Sequence, residues 1–134
     1  MNITEHIQYW LDSAEHDWET AENLFAAKKY DWSLFIGHLV LEKILKALFV
    51  QENNNQLPPK THNLIRLAEQ SHIELSEEQE MLLDRVNEFN IETRYPQYKN
   101  EFYKKCSPEF AEEYYHKIEE MAAWLKSRIQ HDQS

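Results

Sequence analysis

The sequence predicts an all-α protein, an antiparallel up-and-down bundle of about five helices, four of them long and one short. Three observations support this fold class. With one glycine and four prolines in 134 residues, the chain lacks most of the turn signals that β-hairpins need. Apolar residues recur at spacings of three and four over long stretches, as they do on one face of a helix. The connections between these stretches are mostly short, so consecutive helices are expected to pack antiparallel.

The length and the cysteine content indicate a single domain without an internal disulfide. A chain of 134 residues can bury a core of its own, and it contains no visible repeat, so we expect a single domain over residues 1–134. One cysteine, Cys106, excludes an intramolecular disulfide and a cysteine-rich zinc module, and we expect a small, half-buried side chain there. The N-terminus has no apolar run of the signal-peptide type, and no segment approaches the roughly 20 apolar residues of a membrane span. A soluble, cytoplasmic protein is therefore expected.

The charge of the chain excludes a broad nucleic-acid footprint. Lys and Arg number 14 against 24 Asp and Glu, which gives a formal net charge of −10. A polyanion would therefore need a local basic patch. The window 91–106 is such a patch, because its four basic residues outnumber its two acidic ones and give it a net charge of +2.

The first two helices follow directly from the apolar pattern. Residues 4–27 form one amphipathic helix, and Asp17 lies beside its apolar stripe. The second helix runs to about residue 51 and is apolar over most of its circumference, so we expect it at the centre of the bundle. Gly37 in its middle costs roughly 1 kcal/mol relative to alanine. Close approach of another helix would account for this glycine.

Polar side chains interrupt the apolar surface of the second helix. His38, Glu42 and Lys46 follow one another at intervals of four residues and so lie along one side. An unpaired buried charge is costly, so these groups need partners. We predict a structural polar seam of Glu42, His38 and Asp17, in which Asp17 is either a satisfied polar contact or a functional carboxylate. Lys46 either bridges to Glu42 one turn earlier or contacts a phosphate.

Recognisable breaks separate the remaining helices. The loop "NNNQLPP" at 53–59 contains two prolines, and Thr61 is the predicted cap of the short helix that follows. Ser76 and Gln79 form a capping box for the fourth helix. Ser107 and the proline after it open a long final helix. Between these two, "NIETRYPQYKNEF" at residues 90–102 is the least helix-like stretch, because Pro96 holds the residue before it out of the α region.

Four motifs occur in order along the chain: "SAEHDWETAENLF" in the first helix, "HLVLEKILKAL" in the second, "THNL" at the start of the third and "IETRYP" after the fourth. Their ordered combination resembles the HEPN domain, whose name stands for higher eukaryotes and prokaryotes nucleotide-binding. The resemblance covers roughly residues 4–130. It implies an all-α bundle that commonly dimerises. It also implies, as for many small prokaryotic members, pairing with a minimal nucleotidyltransferase in a toxin–antitoxin or related system.

The resemblance raises the question of catalysis. Many HEPN toxins are metal-independent ribonucleases that use an Arg and, four to six residues later, a His; the Arg holds phosphate and the His serves in acid–base catalysis. Positions 99–101, which should supply the His after Arg94, hold Lys, Asn and Glu. Arg66 and His72 have five residues between them and are the alternative catalytic candidates. On a continuous helix their side chains would lie about 120° apart, so they converge only if the helix ends before His72.

Arg94 therefore has two interpretations. In the structural one, its guanidinium reaches the polar seam and pairs with Glu42, which fastens the stretch 90–102 onto the bundle. In the functional one, it belongs to a cationic and aromatic patch that receives a phosphate, a base or an acidic partner surface. The patch consists of Arg94, Tyr95, Tyr98 and Lys99.

These observations together predict a HEPN-like protein that is a homodimeric partner of a nucleotidyltransferase. Nucleotide or RNA phosphate is its expected ligand, bound by Arg94, Tyr95, Lys99 and Lys46. Two alternatives stay open, a metal-independent HEPN ribonuclease toxin and a purely structural interaction module. The chain has no P-loop, Rossmann fingerprint, nucleophile elbow or metal motif, so neither a cofactor nor a metal is expected.

Overall fold

The computed structural model describes residues 1–130 as six α-helices, with no strand in that range. The last four residues of the predicted domain 1–134 lie outside the described residues. The helices pack antiparallel, which confirms the predicted all-α bundle. None of the helices within residues 1–130 has both the length and the apolar content needed to cross a bilayer. The helices are α1 Ile3–Ala26, α2 Tyr30–Glu52, α3 Leu64–Gln70, α4 Glu77–Arg94, α5 Pro96–Lys105 and α6 Pro108–Ser127.

Helix α2 is the central helix, as its apolar sequence predicts. It packs against all five other helices, most extensively against α1, and most of its residues are buried. Burial of this apolar surface contributes roughly 25 cal/mol per Å² to folding. Gly37 lies where α6 crosses it, because a Cβ at this position would be 3.0 Å from Cδ1 of Ile118. The predicted close approach of another helix is therefore confirmed.

Side-chain caps define the ends of several helices. The predicted capping box of α4 is present: the backbone N–H of Gln79 donates to Ser76 Oγ at 3.1 Å, and that of Ser76 donates to Gln79 Oε1 at 2.9 Å. Ser107 caps α6 as predicted. The predicted cap of α3 is wrong by two residues, because Asn63 accepts the first N–H groups of that helix. Thr61 instead accepts from the backbone N–H of Asn63.

The stretch 90–102, which the sequence makes the least helix-like part of the chain, is helical on both sides of Tyr95. Only Tyr95 separates α4 from α5, with an extended backbone at φ −99° and ψ 124°. Pro96 imposes this conformation on the residue before it and is itself the first residue of α5. The chain resumes a helix at once because Phe102 is buried against Phe89 of α4, with ring centroids 5.3 Å apart. Residues 1–130 therefore contain six helices, where the sequence predicted about five.

Cys106 ends α5 and is more deeply buried than the sequence predicts. It belongs to the main apolar core and is 7% exposed. Burial, assisted by the carboxylates of Asp31 and Glu92, raises the pKa of its thiol to about 12. The thiolate is the reactive form of cysteine, so this side chain is an inert part of the core at neutral pH.

Candidate functional site

The polar side chains of α2 meet a partner from the loop before α3. Glu42 is 5% exposed, and both of its carboxylate oxygens are engaged. Its Oε2 accepts a hydrogen bond from Lys46 Nζ at 3.0 Å, and its Oε1 lies 2.8 Å from His62 Nδ1. His38 Nδ1 lies 3.9 Å from the same Oε1, which is too long for a hydrogen bond. We name Glu42, Lys46, His62 and His38 the Glu42 cluster.

The acceptors around the two histidines define where their protons lie. A carboxylate oxygen only accepts, so His62 carries a proton on Nδ1. His38 Nε2 lies 2.8 Å from the backbone carbonyl oxygen of His62, so it carries its proton on Nε2. Burial lowers the pKa of His38 below 6.5, against the opposing effect of Glu42, and its ring is neutral at pH 7. The bare Nδ1 of His38 then accepts from Asn90 Nδ2 at 3.4 Å.

His62 is held by a buried carboxylate at one nitrogen and is open at the other. Its side chain is 55% exposed, and its Nε2 has no partner among the described residues. With the proton on Nδ1, this Nε2 carries a lone pair that can take up a proton. A carboxylate orients the imidazole base of serine hydrolases in the same way. Sequence reasoning did not include His62 among the site residues; its place in the "THNL" motif was the available signal.

Arg94 does not reach Glu42, so the predicted ion pair between them is wrong. No ion pair joins these two residues, both of which the structure describes, and Arg94 is exposed. Its Nη1 donates to Asn90 Oδ1 at 3.3 Å, and the amide of Asn90 donates to His38. Arg94 is therefore linked to the Glu42 cluster through Asn90. Lys46 and His62 already occupy the carboxylate that Arg94 was expected to bind.

The exposed residues around the break between α4 and α5 form a cationic and aromatic surface. We name Arg94, Tyr95, Tyr98 and Lys99 the corner patch. Tyr95 and Tyr98 are 48% and 45% exposed. Lys99 Nζ lies 4.9 Å from the ring centroid of Trp32 on α2, within the range of a cation–π interaction. The corner patch thus combines positive charge with partly exposed tyrosine side chains, and Tyr98 also borders a smaller pocket lined by Glu88, Glu92 and Glu101.

Lys46 is separate from the corner patch. It is buried on α2, paired with Glu42, and its Nζ lies 5.3 Å from the ring centroid of Trp10. Of the four residues predicted to bind phosphate, three therefore lie on the surface and Lys46 lies in the core. The bridge to Glu42, one of its two predicted roles, is the one that the structure contains.

Asp17 makes a structural contact away from the other members of the predicted polar seam. Its Oδ2 lies 2.6 Å from Nζ of Lys43 on α2. Among the described residues, no hydrogen bond or ion pair joins Asp17 or Lys43 to a member of the Glu42 cluster. The prediction that grouped Asp17 with Glu42 and His38 is therefore corrected: Asp17 joins α1 to α2 independently.

Helix α3 ends before His72, as convergence of Arg66 and His72 requires, but the two side chains make no contact. Helix α3 ends at Gln70, Ser71 caps it, and His72 adopts a left-handed backbone with φ 57°. Both side chains are exposed, and within residues 1–130 no hydrogen bond or ion pair joins them. In the same range no three His, Cys, Asp or Glu side chains are grouped to hold a metal. A catalytic role for Arg66 and His72 stays a prediction.

The fold and the Glu42 cluster define a small helical-bundle protein with a buried carboxylate, lysine and histidine network on its central helix. The family model described as the HEPN domain matches residues 7–128, which is nearly the whole chain. The chain therefore belongs to the HEPN domain family, as the four motifs indicated. Neither the curated proteins nor the solved structures contained a match to this chain.

Proposed function

We propose that this HEPN domain protein is a dimeric, cytoplasmic partner of a nucleotidyltransferase in a toxin–antitoxin-like pair, and that its corner patch binds a nucleotide or RNA phosphate. Members of the family commonly pair with nucleotidyltransferases. The observation that carries the binding proposal is the corner patch itself, where cations and exposed tyrosine rings occur together on an acidic protein. Sites for single-stranded nucleic acid combine these two features.

The contacts of the corner patch support anion binding. One guanidinium nitrogen of Arg94 donates to Asn90. Its other N–H groups can form charge-assisted hydrogen bonds with a phosphate. Tyr95 lies next to it with an accessible ring on which a base can stack. The rest of the chain is acidic, so long polyanions are repelled. Weak, salt-dependent binding of a short ligand is therefore expected.

Calorimetric titration with ATP and with a short single-stranded RNA tests the binding proposal. Arg94→Gln removes a charge-assisted contact worth roughly 1.5–3 kcal/mol, so the Kd should rise about tenfold or more. The matched control is Lys126→Gln, which removes one exposed positive charge from α6, outside the corner patch. Binding that is absent in the wild type, or equally weakened in both variants, would exclude the corner patch as the site.

Two measurements test the partner proposal. Light scattering on the purified protein should give twice the chain mass of 16.2 kDa if it is a dimer. Co-expression with a minimal nucleotidyltransferase encoded beside its gene should give a complex that survives gel filtration. A monomer would contradict the proposed dimer. A nucleotidyltransferase that elutes separately would contradict the proposed pairing.

The geometry of His62 favours a second candidate function, metal-independent RNA cleavage. In this candidate reaction, His62 Nε2 takes the proton of a ribose 2′-hydroxyl, and the 2′-oxygen attacks the adjacent phosphorus. The 5′-oxygen leaves and takes a proton from water, which produces a 2′,3′-cyclic phosphate. Glu42 stabilises the imidazolium that forms, since it lies 2.8 Å from the other ring nitrogen. Arg94 is joined to the same network through Asn90 and His38.

An RNA cleavage assay with a chelator present distinguishes His62 from the pair Arg66 and His72 as the catalytic residues. His62→Gln keeps an amide that can donate to Glu42 but removes the base. Loss of a general base lowers the rate of cleavage roughly 10²–10⁴-fold. If His62 is the base, this variant loses cleavage while His72→Ala and Arg66→Ala keep it. The Arg66 and His72 pair predicts the opposite pattern. Absence of cleavage by the wild type at high protein concentration would exclude both.

A further inference from the structure

A groove of about 850 Å³ lies between α4 and α6, and nothing in the proposed function uses it. Both helices pack against α2. The apolar side chains of the groove are Met81, Leu82, Tyr114, Met121 and Trp124.

Four of the five apolar side chains of this α4–α6 groove are at least partly exposed, whereas Met121 is 4% exposed and belongs to the core. Met81 is 68% exposed and lies beside other apolar side chains of the groove. Leu82 and Trp124 are half-buried, so the apolar surface continues from one helix to the other. Contiguous apolar surface rimmed by polar groups marks interaction sites. Methionine side chains adapt to the shape of a partner, as in grooves that receive amphipathic helices.

The rim of the groove is acidic. Its carboxylates are Glu78, Asp84, Glu88 and Glu120. The rim also holds two cations, but Arg85 donates to Glu88 and Glu92 at 2.9 and 3.0 Å, and Lys117 donates to Glu113 at 2.8 Å. Among the described residues, the other three rim carboxylates have no ion-pair partner. The groove therefore attracts cations and repels anions.

We propose that the α4–α6 groove binds an amphipathic helix with a basic polar face, supplied by a partner protein. The apolar side of that helix contacts Met81, Leu82 and Trp124, and its Lys and Arg side chains pair with the rim carboxylates. The same face of a second copy is a poor occupant, since a symmetric contact would bring two acidic rims together. The proposal goes beyond the proposed function, because the groove shares no residue with the corner patch or the Glu42 cluster.

Two synthetic peptides test this proposal on the full chain. Both are helices of about 18 residues, or five turns, with leucine on one face; one carries lysine and the other glutamate on the polar face. Fluorescence anisotropy at roughly 0.15 M salt measures their Kd values under physiological screening. The wild type should bind the lysine peptide at least about tenfold more tightly than the glutamate peptide.

Charge-neutral variants separate the groove from general attraction to an acidic protein. Met81→Gln combined with Leu82→Gln removes apolar lining without changing the charge, and should weaken binding of the lysine peptide about tenfold. The matched control is Leu57→Gln, at an exposed leucine in the loop before α3. Glu78→Gln combined with Glu120→Gln should also weaken binding, and should lower its salt dependence.

The rim variant has its own control in Glu19→Gln combined with Glu22→Gln, which removes two exposed carboxylates from α1. Circular dichroism confirms that each variant is folded. The proposal is overturned if both peptides bind equally, or if the groove variants bind like their controls. It is also overturned if the Met81 and Leu82 variant converts a wild-type dimer into a monomer, because the groove would then hold a second copy of this chain.

Discussion

Replacing Glu42 with glutamine tests whether the Glu42 cluster stabilises the centre of the bundle. The carboxylate accepts hydrogen bonds from Lys46 at 3.0 Å and His62 at 2.8 Å while being 5% exposed. Glutamine has the same shape but no charge, so the buried ammonium of Lys46 loses its counter-charge. Removing one partner of a buried ion pair costs roughly 3–5 kcal/mol. Because the Lys46 side chain is 11% exposed and can move toward water, we expect about 3 kcal/mol, the lower end of that range.

A double variant shows whether this cost comes from the unpaired charge. Glu42→Gln combined with Lys46→Met leaves no buried charge at the pair, and replacing both partners of a buried pair is often close to neutral. The double variant should therefore be more stable than Glu42→Gln alone, by at least about 1 kcal/mol. Loss of the His62 hydrogen bond adds little, because that ring is largely exposed.

Urea unfolding followed by circular dichroism measures these free energies at one fixed protein concentration. Glu22→Gln, an exposed carboxylate on α1, is the control and should change the free energy of unfolding by less than about 0.5 kcal/mol. The reasoning is refuted if Glu42→Gln costs under about 1 kcal/mol. It is also refuted if the double variant costs as much as Glu42→Gln and Lys46→Met, each measured alone, add up to.

Three further predictions concern the core. Gly37→Ala gains roughly 1 kcal/mol of helix propensity but places a Cβ 3.0 Å from Ile118 Cδ1, so urea unfolding should show a larger stabilisation in an Ile118→Val background, which lacks that atom. Equal effects in both backgrounds would contradict the packing argument. The pKa of His38 is lower in the fold than in the unfolded chain, where it is about 6.5. As the pH falls below about 6.5, the unfolded chain therefore takes up a proton at His38 before the folded protein does, and the free energy of unfolding decreases. Relative to His38→Gln, the wild type should therefore lose stability between about pH 7.5 and pH 5.5, and parallel pH profiles would refute this. The thiol of Cys106, with its pKa raised to about 12, should react with iodoacetamide at least about a hundredfold more slowly in native protein than in urea. Similar rates would show that the thiol is accessible.

The helices and several of their ends were predictable because the signals are local. The apolar spacing of α1 and α2 is contained within each segment, and so is the capping box of Ser76 and Gln79. The central position of α2 followed from its apolar circumference. Local signals failed at residues 90–102, where a proline and polar side chains indicated a connector. Burial of Phe102 against Phe89 supplied the stabilisation that local propensity lacked.

The candidate site was predicted only in part. The line of His38, Glu42 and Lys46 followed from helical spacing, and the need of a buried carboxylate for partners followed from the cost of burying charge. The identity of the second partner did not follow. Arg94 is the stronger cation, but it is the last residue of α4 and its guanidinium donates to Asn90 one turn earlier. The loop before α3 instead brings His62 to the carboxylate.

The sequence alone indicates the helical class, several helix ends, the central helix and membership of the HEPN domain family. These are properties of residues that lie close together in the chain or follow one another in a fixed order. Which charges meet depended on the packing of segments distant in the chain. Glu42 and His62 lie 20 residues apart and come within 2.8 Å through the path of a loop that has no periodic pattern. Helix periodicity repeats every few residues, whereas a hydrogen bond between remote segments requires ångström-level placement that only the folded bundle supplies.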